Sequence, residues 1–183
     1  MDKNSIVSDK EKFIIDNILT RTSDRIFDPT REVENEKIDV LLKAAMAAPT
    51  GVNRQPWHFF VMTDKHQLSK LAETLPYCKM AKDAGVAIVV CGDKSRFLDG
   101  VDSTLWVQDV SASSENILLA AHALGLGSVW TALYPHPDRI DEVKGILDIS
   151  DDFVPFNVIP IGYVKTPHTP LDKWNPEAVT FIK

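Results

Sequence analysis

The run VAIVVC at 86–91 is apolar at every position and rich in β-branched side chains. A strand with one wet face alternates apolar and polar residues, whereas a run without alternation belongs to a sheet covered on both faces. The chain must then supply helices for two layers. Ser8 followed by Glu11 forms a capping box, and Phe13, Ile14, Ile18 and Leu19 recur at helical spacing, which predicts a helix from about 9 to 20. Asn35 is placed to cap a second helix, whose Ile38, Leu41, Leu42 and Ala45 share one face and which Pro49 closes. WHFFVMT, from Trp57, reads as a buried strand, and Asp64 with Gln67 opens a third helix through about Leu75. The longest helix is predicted over about 103–124, where Val110, Ser114, Ile117, Ala121 and Leu124 follow one seam. Ser111, Ala112, Ser113 and Ser114 are small enough to let another helix approach it closely. SVWTALY at 128–134 and NVIPIGYV at 157–164 read as strands flanking a short helix that opens after Pro137. Pro167, Pro170 and Pro176 keep the tail after Lys165 extended. The pattern is a mixed α/β sandwich, a sheet with helices on both faces.

At 183 residues and 44% hydrophobic content, the chain has material for one domain with a real core. Charges interrupt every apolar stretch of the first twenty residues, so neither a secretory segment nor a membrane span is expected, and the protein is expected in the cytoplasm. A net charge of −6 argues against a nucleic-acid partner. An anionic ligand must therefore meet a local basic pocket. Cys78 and Cys91 sit in no metal or redox spacing and are expected as free thiols, and the histidines are scattered, so no metal site is expected.

Three stretches carry chemistry. In RTSDR at 21–25, extended backbone would point Arg21, Ser23 and Arg25 the same way, and two guanidinium forks with a hydroxyl suit a phosphate monoester. The same spacing also fits solvated arginines beside Asp24 and Asp28. In APTGVNRQPWHFFVM, Pro49 and Gly51 break a helix and Asn53 and Gln55 bring two amides close together. Such a loop can lay hydrogen bonds along a flat heteroaromatic ring, or its side chains can simply satisfy a turn before Trp57 begins the core. GLGSVW contains a lone GxG, but it follows a helix and opens a strand, the reverse of a dinucleotide-binding turn. Gly125 and Gly127 are better read as a helix C-cap and turn. No Ser/His/Asp or Cys/His nucleophile set is visible, so no catalytic side chain is assigned.

In this order and spacing the three stretches resemble the signature of the nitroreductase family of flavin mononucleotide (FMN) enzymes. The resemblance implies an α+β fold, a three-layer α/β/α sandwich around a central mixed, mostly antiparallel sheet, built as an intertwined homodimer. Residues 1–183 would form a single FMN-binding domain, with 165–183 an extended tail packing on the partner subunit. It gives the long helix a second reading, as a dimer-interface helix rather than a core helix of its own subunit. Carried over position by position, Arg21, Ser23 and Arg25 would grip the FMN phosphate and ribityl chain, with Thr22 a backbone neighbour. Pro49, Thr50 and Gly51 would line the ring from the partner subunit, with Asn53 and Gln55 as polar contacts. Trp130, Thr131, Ala132 and Leu133 would run past the isoalloxazine, and a backbone amide there would face flavin N5. The tail TPLDKWNPEAV is similar to the family's closing motif; Lys173 holds one basic position and Leu171 replaces the other. Lys79 corresponds to a lysine that reaches the flavin in larger members. The implied activity is FMN-dependent reduction of nitroaromatics, quinones or other small electron-poor acceptors by NADH or NADPH, in a ping-pong cycle. The alternative is a flavin-binding storage or redox-sensing protein with little turnover. Relatives that dehalogenate or fragment flavin carry a lid insertion, for which the spacer between Ala87 and Trp106 leaves little room.

Overall fold

In the computed structural model, which describes residues 8–183, the apolar run forms β2 (Val86–Asp93), buried along all but its last residue. Strand β1 (Trp57–Met62) pairs with one edge of β2 and β5 (Phe153–Gly162) with the other. The far edge of β5 takes up two short strands, β3 (Gly127–Ser128) and β4 (Thr131–Ala132). Every pairing among these strands is antiparallel. Side chains alternate across the sheet, and each face builds its own core. Val86, Ile88 and Val90 face α2 (Asn35–Met46) and α4 (Leu105–Ala123), whereas Ala87, Val89 and Cys91 face α3 (Lys65–Thr74) and α5 (Pro137–Leu147). The result is the three-layer α/β/α sandwich of the α+β class. Full burial of each large aliphatic side chain contributes about 1.5–3 kcal/mol, so this double coverage explains why β2 carries no polar residue before its end.

The seam of α4 is core: Val110, Ser114, Ile117 and Ala121 are buried, and the helix packs on α2. It ends in a Schellman motif, with Gly125 at φ +71°, its N–H donating to the His122 carbonyl and that of Leu126 to Ala121. Gly127 lies within β3 rather than in a turn. A side chain there would meet the Val164 methyl and the Asp24 Cβ, the latter at 2.8 Å. Asp64 caps α3 by accepting from Gln67 N–H, and Pro137 takes the first position of α5, as expected.

Several expectations shift. β1 is a half-exposed edge strand and not a buried one, because the sheet ends there, and His58 and Val61 are exposed. The stretch 128–134 is interrupted between β3 and β4, and β5 starts at Phe153 rather than Asn157, with a bulge opposite Val90 and Cys91. Glu34, not Asn35, takes the N-cap of α2, and no side chain caps that end. The Glu34 carboxylate is drawn instead to the Tyr163 hydroxyl, which donates to it at 2.7 Å. Helix α1 (Asp9–Thr20) has its capping box, yet none of its residues is buried. The tail beyond Val164 is exposed and extended apart from one 3-10 turn at Pro176–Ala178. Cys78 and Cys91 are free and buried, and burial pushes both thiols up to about 12. No helix among the described residues is long and apolar enough to cross a membrane.

Candidate functional site

Where α1 ends, Arg21 leaves the helix with extended backbone, and the Asp24 N–H donates to the Ser128 carbonyl at 3.1 Å. That bond stitches residues 21–24 to β3 and turns the Asp24 side chain inward, where it is buried. Opposite runs the tail. Between the two lies a cavity of about 760 Å³ to which Arg21, Thr22, Ser23, Leu171 and Lys173 all contribute. Ile18, Leu19, Pro170 and Trp174 give it apolar walls. The Arg21 guanidinium is steadied on two sides, by Nη1 donating to the Thr22 carbonyl at 2.9 Å and by Nε lying 3.4 Å from the Glu115 carboxylate on α4. A guanidinium, an ammonium and two hydroxyls converging beside apolar walls form a cradle for an anionic group on an apolar body. Arg25 stands apart: it is exposed, donates to the Ser23 carbonyl at 3.2 Å and does not line the cavity. Neither arginine pairs with Asp24 or Asp28 among the described residues.

The loop after α2 is a second, separate feature, and none of residues 49–55 lines that cavity. Its backbone is strained, with Val52, Asn53 and Gln55 at φ of 44°, 58° and 51°. Each such residue costs about 1–3 kcal/mol and persists only where its surroundings hold it. Asp109 of α4 accepts from the Gly51 N–H at 2.9 Å, Thr50 Oγ1 accepts from the Gln55 N–H at 3.1 Å, and Gln55 Nε2 donates to Asn53 Oδ1 at 3.0 Å. Pro49, Asn53 and Gln55 stay exposed. The two amides therefore satisfy each other in part while presenting the rest of their polar edges outward.

Trp130 packs edge-on against Phe156, with ring centroids 5.4 Å apart. Thr131 and Leu133 are buried, and Leu133 joins the α3/α5 core, so these two can offer an external ligand only backbone. Ala132 is exposed, and its carbonyl accepts from Arg139 Nη1 at 3.3 Å. Lys79 is exposed on a 3-10 turn in the α3/α5 layer, away from the cavity at the end of α1.

One pair in the cavity escapes the sequence reading. His168 lines it, and its Nδ1 lies 3.1 Å from Oδ1 of the buried Asp24. Residues 144 positions apart give no local signal, and His168 reads as one more scattered histidine.

The profile of the nitroreductase family matches this chain over residues 18–76 and 71–163. A protein of Methanothermobacter thermautotrophicus, provisionally named an NADH dehydrogenase/NAD(P)H nitroreductase, is 44% identical over 170 residues, which are 93% of this chain and 87% of that one. The crystal structure of a protein with the same provisional name from Parabacteroides distasonis superposes with a TM-score of 0.86 at 45% identity, covering 92% of this chain and 97% of that one. A Desulfovibrio desulfuricans protein, solved in complex with FMN and provisionally named a nitroreductase, superposes with a TM-score of 0.78 at 26% identity, over 93% and 96% of the two chains. The chain belongs to the nitroreductase family.

Proposed function

We propose that the protein is an FMN-dependent oxidoreductase that takes electrons from NADH or NADPH and passes them, in a ping-pong cycle, to nitroaromatics, quinones or other small electron-poor acceptors. The observation that carries this reading is the convergence of Arg21, Thr22, Ser23 and Lys173 on one cavity. That donor set suits the phosphate and ribityl chain of FMN, since the guanidinium and ammonium match a dianion and the hydroxyls match the polyol. The FMN complex of the Desulfovibrio relative supports the same ligand. Bound FMN would supply the hydride and electron transfer, and the protein's part is to hold, orient and shield it. Arg21, braced by Glu115, would fix the phosphate; Pro49, Thr50 and Gly51 would line the ring, with Asn53 and Gln55 as its polar contacts. The backbone of residues 130–133 would run along the other side.

That loop lies outside the cavity of its own chain, which supports a homodimer in which it serves the partner's flavin. Phe13, Ile14, Ile18 and Leu19 of α1 are exposed, as are Leu171, Trp174, Phe181 and Ile182 of the tail, large apolar side chains that a second copy of the chain would cover. On this reading residues 1–183 form one domain, the tail from 165 packs on the partner, and the enzyme works in the cytoplasm. The position of Leu171 favours a second reading, flavin storage or sensing with little turnover, because an apolar side chain lines the cavity where the family motif has a cation.

Stopped-flow absorbance distinguishes the two. The FMN-loaded protein is mixed with NADH or NADPH, and bleaching of the flavin is followed by reoxidation with a nitroaromatic or a quinone. Fast bleaching and fast acceptor-dependent recovery are expected of the enzyme, and slow bleaching with both nicotinamides overturns it.

A further inference from the structure

Nδ1 of His168 faces Asp24 Oδ1 at 3.1 Å, and Thr22 Oγ1 donates to the same oxygen at 3.3 Å. The Asp24 side chain is 8% exposed and that of His168 is 45% exposed. A carboxylate accepts, so Nδ1 must carry the proton of this bond, which leaves Nε2 without a protein partner among the described residues. His168 lines the same cavity as Arg21, Thr22, Ser23 and Lys173. In the imidazolium Nε2 is a donor as well, the form that can meet an anion.

We propose that His168, held by Asp24, is a further phosphate-binding residue of this cavity, donating from Nε2 and supplying the cationic place that Leu171 leaves open. It rests on the flavin reading above and deepens it. The other charged groups lining the cavity are Arg21, backed by Glu115 of α4, and Asp172 and Lys173 of the tail; α1 contributes only Ile18 and Leu19. The same histidine ties the tail to the segment after α1.

The test compares FMN with riboflavin, which lacks the phosphate, by quenching of flavin fluorescence in the wild type, His168→Asn and Arg21→Ala. Asn keeps a donor where Nδ1 stands, so the bond to Asp24 survives while the Nε2 donor is lost. His168→Asn is expected to weaken FMN by about 10-fold, with riboflavin changed by less than about 2-fold. Equal losses for FMN and riboflavin in His168→Asn overturn the role of His168 and make it a tether only. Arg21→Ala separates the two levels: if it weakens FMN selectively while His168→Asn does not, the flavin reading stands and the His168 assignment falls. If the wild type does not prefer FMN to riboflavin, both fall.

Discussion

The Asp109 carboxylate on α4 accepts the backbone N–H of Gly51 at 2.9 Å, tying the long core helix to the loop that holds Val52, Asn53 and Gln55 in left-handed backbone. A buried carboxylate bonded to a backbone N–H is a charge-assisted contact, and losing one costs about 1.5–3 kcal/mol. Asp109→Ala is therefore expected to lower stability in urea unfolding by about that amount, with the m-value unchanged, whereas Asp109→Asn keeps an oxygen and loses less. If Asp109→Ala unfolds at the same urea concentration as the wild type, the loop is held by its own internal bonds.

A second polar knot joins the two ends of the α2 side of the fold. Lys37 Nζ donates to the Tyr163 hydroxyl at 2.6 Å, and that hydroxyl donates to Glu34. The Tyr163 hydrogen bond holds the Glu34 carboxyl below its ordinary range and raises the Lys37 ammonium above its own. A depressed carboxyl contributes stability above its unfolded value, near pH 4.3, which is lost as pH falls through the folded one. A raised ammonium contributes below about pH 10.4, and its share is lost as pH climbs through the higher folded value. Tyr163→Phe is thus expected to lower the thermal midpoint by a constant amount between about pH 5 and 10, with the deficit shrinking by the Glu34 share at the acid extreme and by the Lys37 share at the basic one. A deficit that persists undiminished at pH 3 would mean that the ring and its packing, rather than the hydroxyl, carry the effect.

Elements whose own chemistry agrees with their place in the fold were legible from residues alone: the unbroken apolar run of β2, the Asp64 cap of α3 and the Val110, Ser114, Ile117 seam of α4. What depended on distant partners was not. β1 has the composition of a buried strand, but its exposure follows from the sheet ending beside it. Asn35 is the better capping residue on propensity, yet Tyr163, 129 positions away, draws Glu34 to a different bond at that helix end. The cavity shows the same division. Arg21 and Lys173 were paired only through resemblance to a family, because no periodicity links positions that far apart. Regular alternation put Arg25 beside Arg21, whereas its guanidinium turns to the Ser23 carbonyl outside the cavity.

Gly127 is needed for close approach and not for an unusual φ. A Cβ there would press on the Val164 methyl and lie 2.8 Å from the Asp24 Cβ. Since the Asp24 backbone is bonded to Ser128, the strand cannot yield without moving the segment that carries Arg21 and Ser23. Gly127→Ala is expected to cost about 1–3 kcal/mol, the usual range for overpacking, and to weaken FMN as well. Calorimetry with and without FMN checks it, and an unchanged unfolding temperature in both would show that the strand accommodates the methyl.

Leu171 is 76% exposed at the lip of the cavity. A lysine there adds a charge near a bound phosphate, worth about 0.5–1 kcal/mol at an exposed site and screened by salt. Leu171→Lys is expected to tighten FMN by about 2- to 5-fold at low salt, much less at high salt, and to leave riboflavin unchanged. No gain at low salt would mean that Leu171 points away from the phosphate.

Helix α1 is 12 residues long and buries none of them, although Phe13, Ile14, Ile15, Ile18 and Leu19 are all large and apolar. A helix this short is marginal in water on propensity alone, and its capping box adds only about 1 kcal/mol. Within one chain α1 rests on α4, where the Asn17 amide donates to the Leu119 carbonyl at 3.1 Å, and its apolar side chains are only partly covered. Phe13 is 66% exposed and overhangs a groove of about 410 Å³ walled by Ala44 of α2, Ala47 just past its end, and Leu119 and Ala123 of α4. A second copy of the chain seated there would bury the ring, contributing about 1.5–3 kcal/mol per protomer. Phe13→Glu would instead force a carboxylate into that contact, at a cost of several kcal/mol if it stayed paired. Light scattering is therefore expected to report two chains for the wild type and one for Phe13→Glu at micromolar concentration, with FMN lost from the variant if residues 49–55 serve the partner's flavin. A Phe13→Glu protein that remains a dimer would move the interface off α1, and a wild-type monomer that binds FMN tightly would end the shared-site reading altogether.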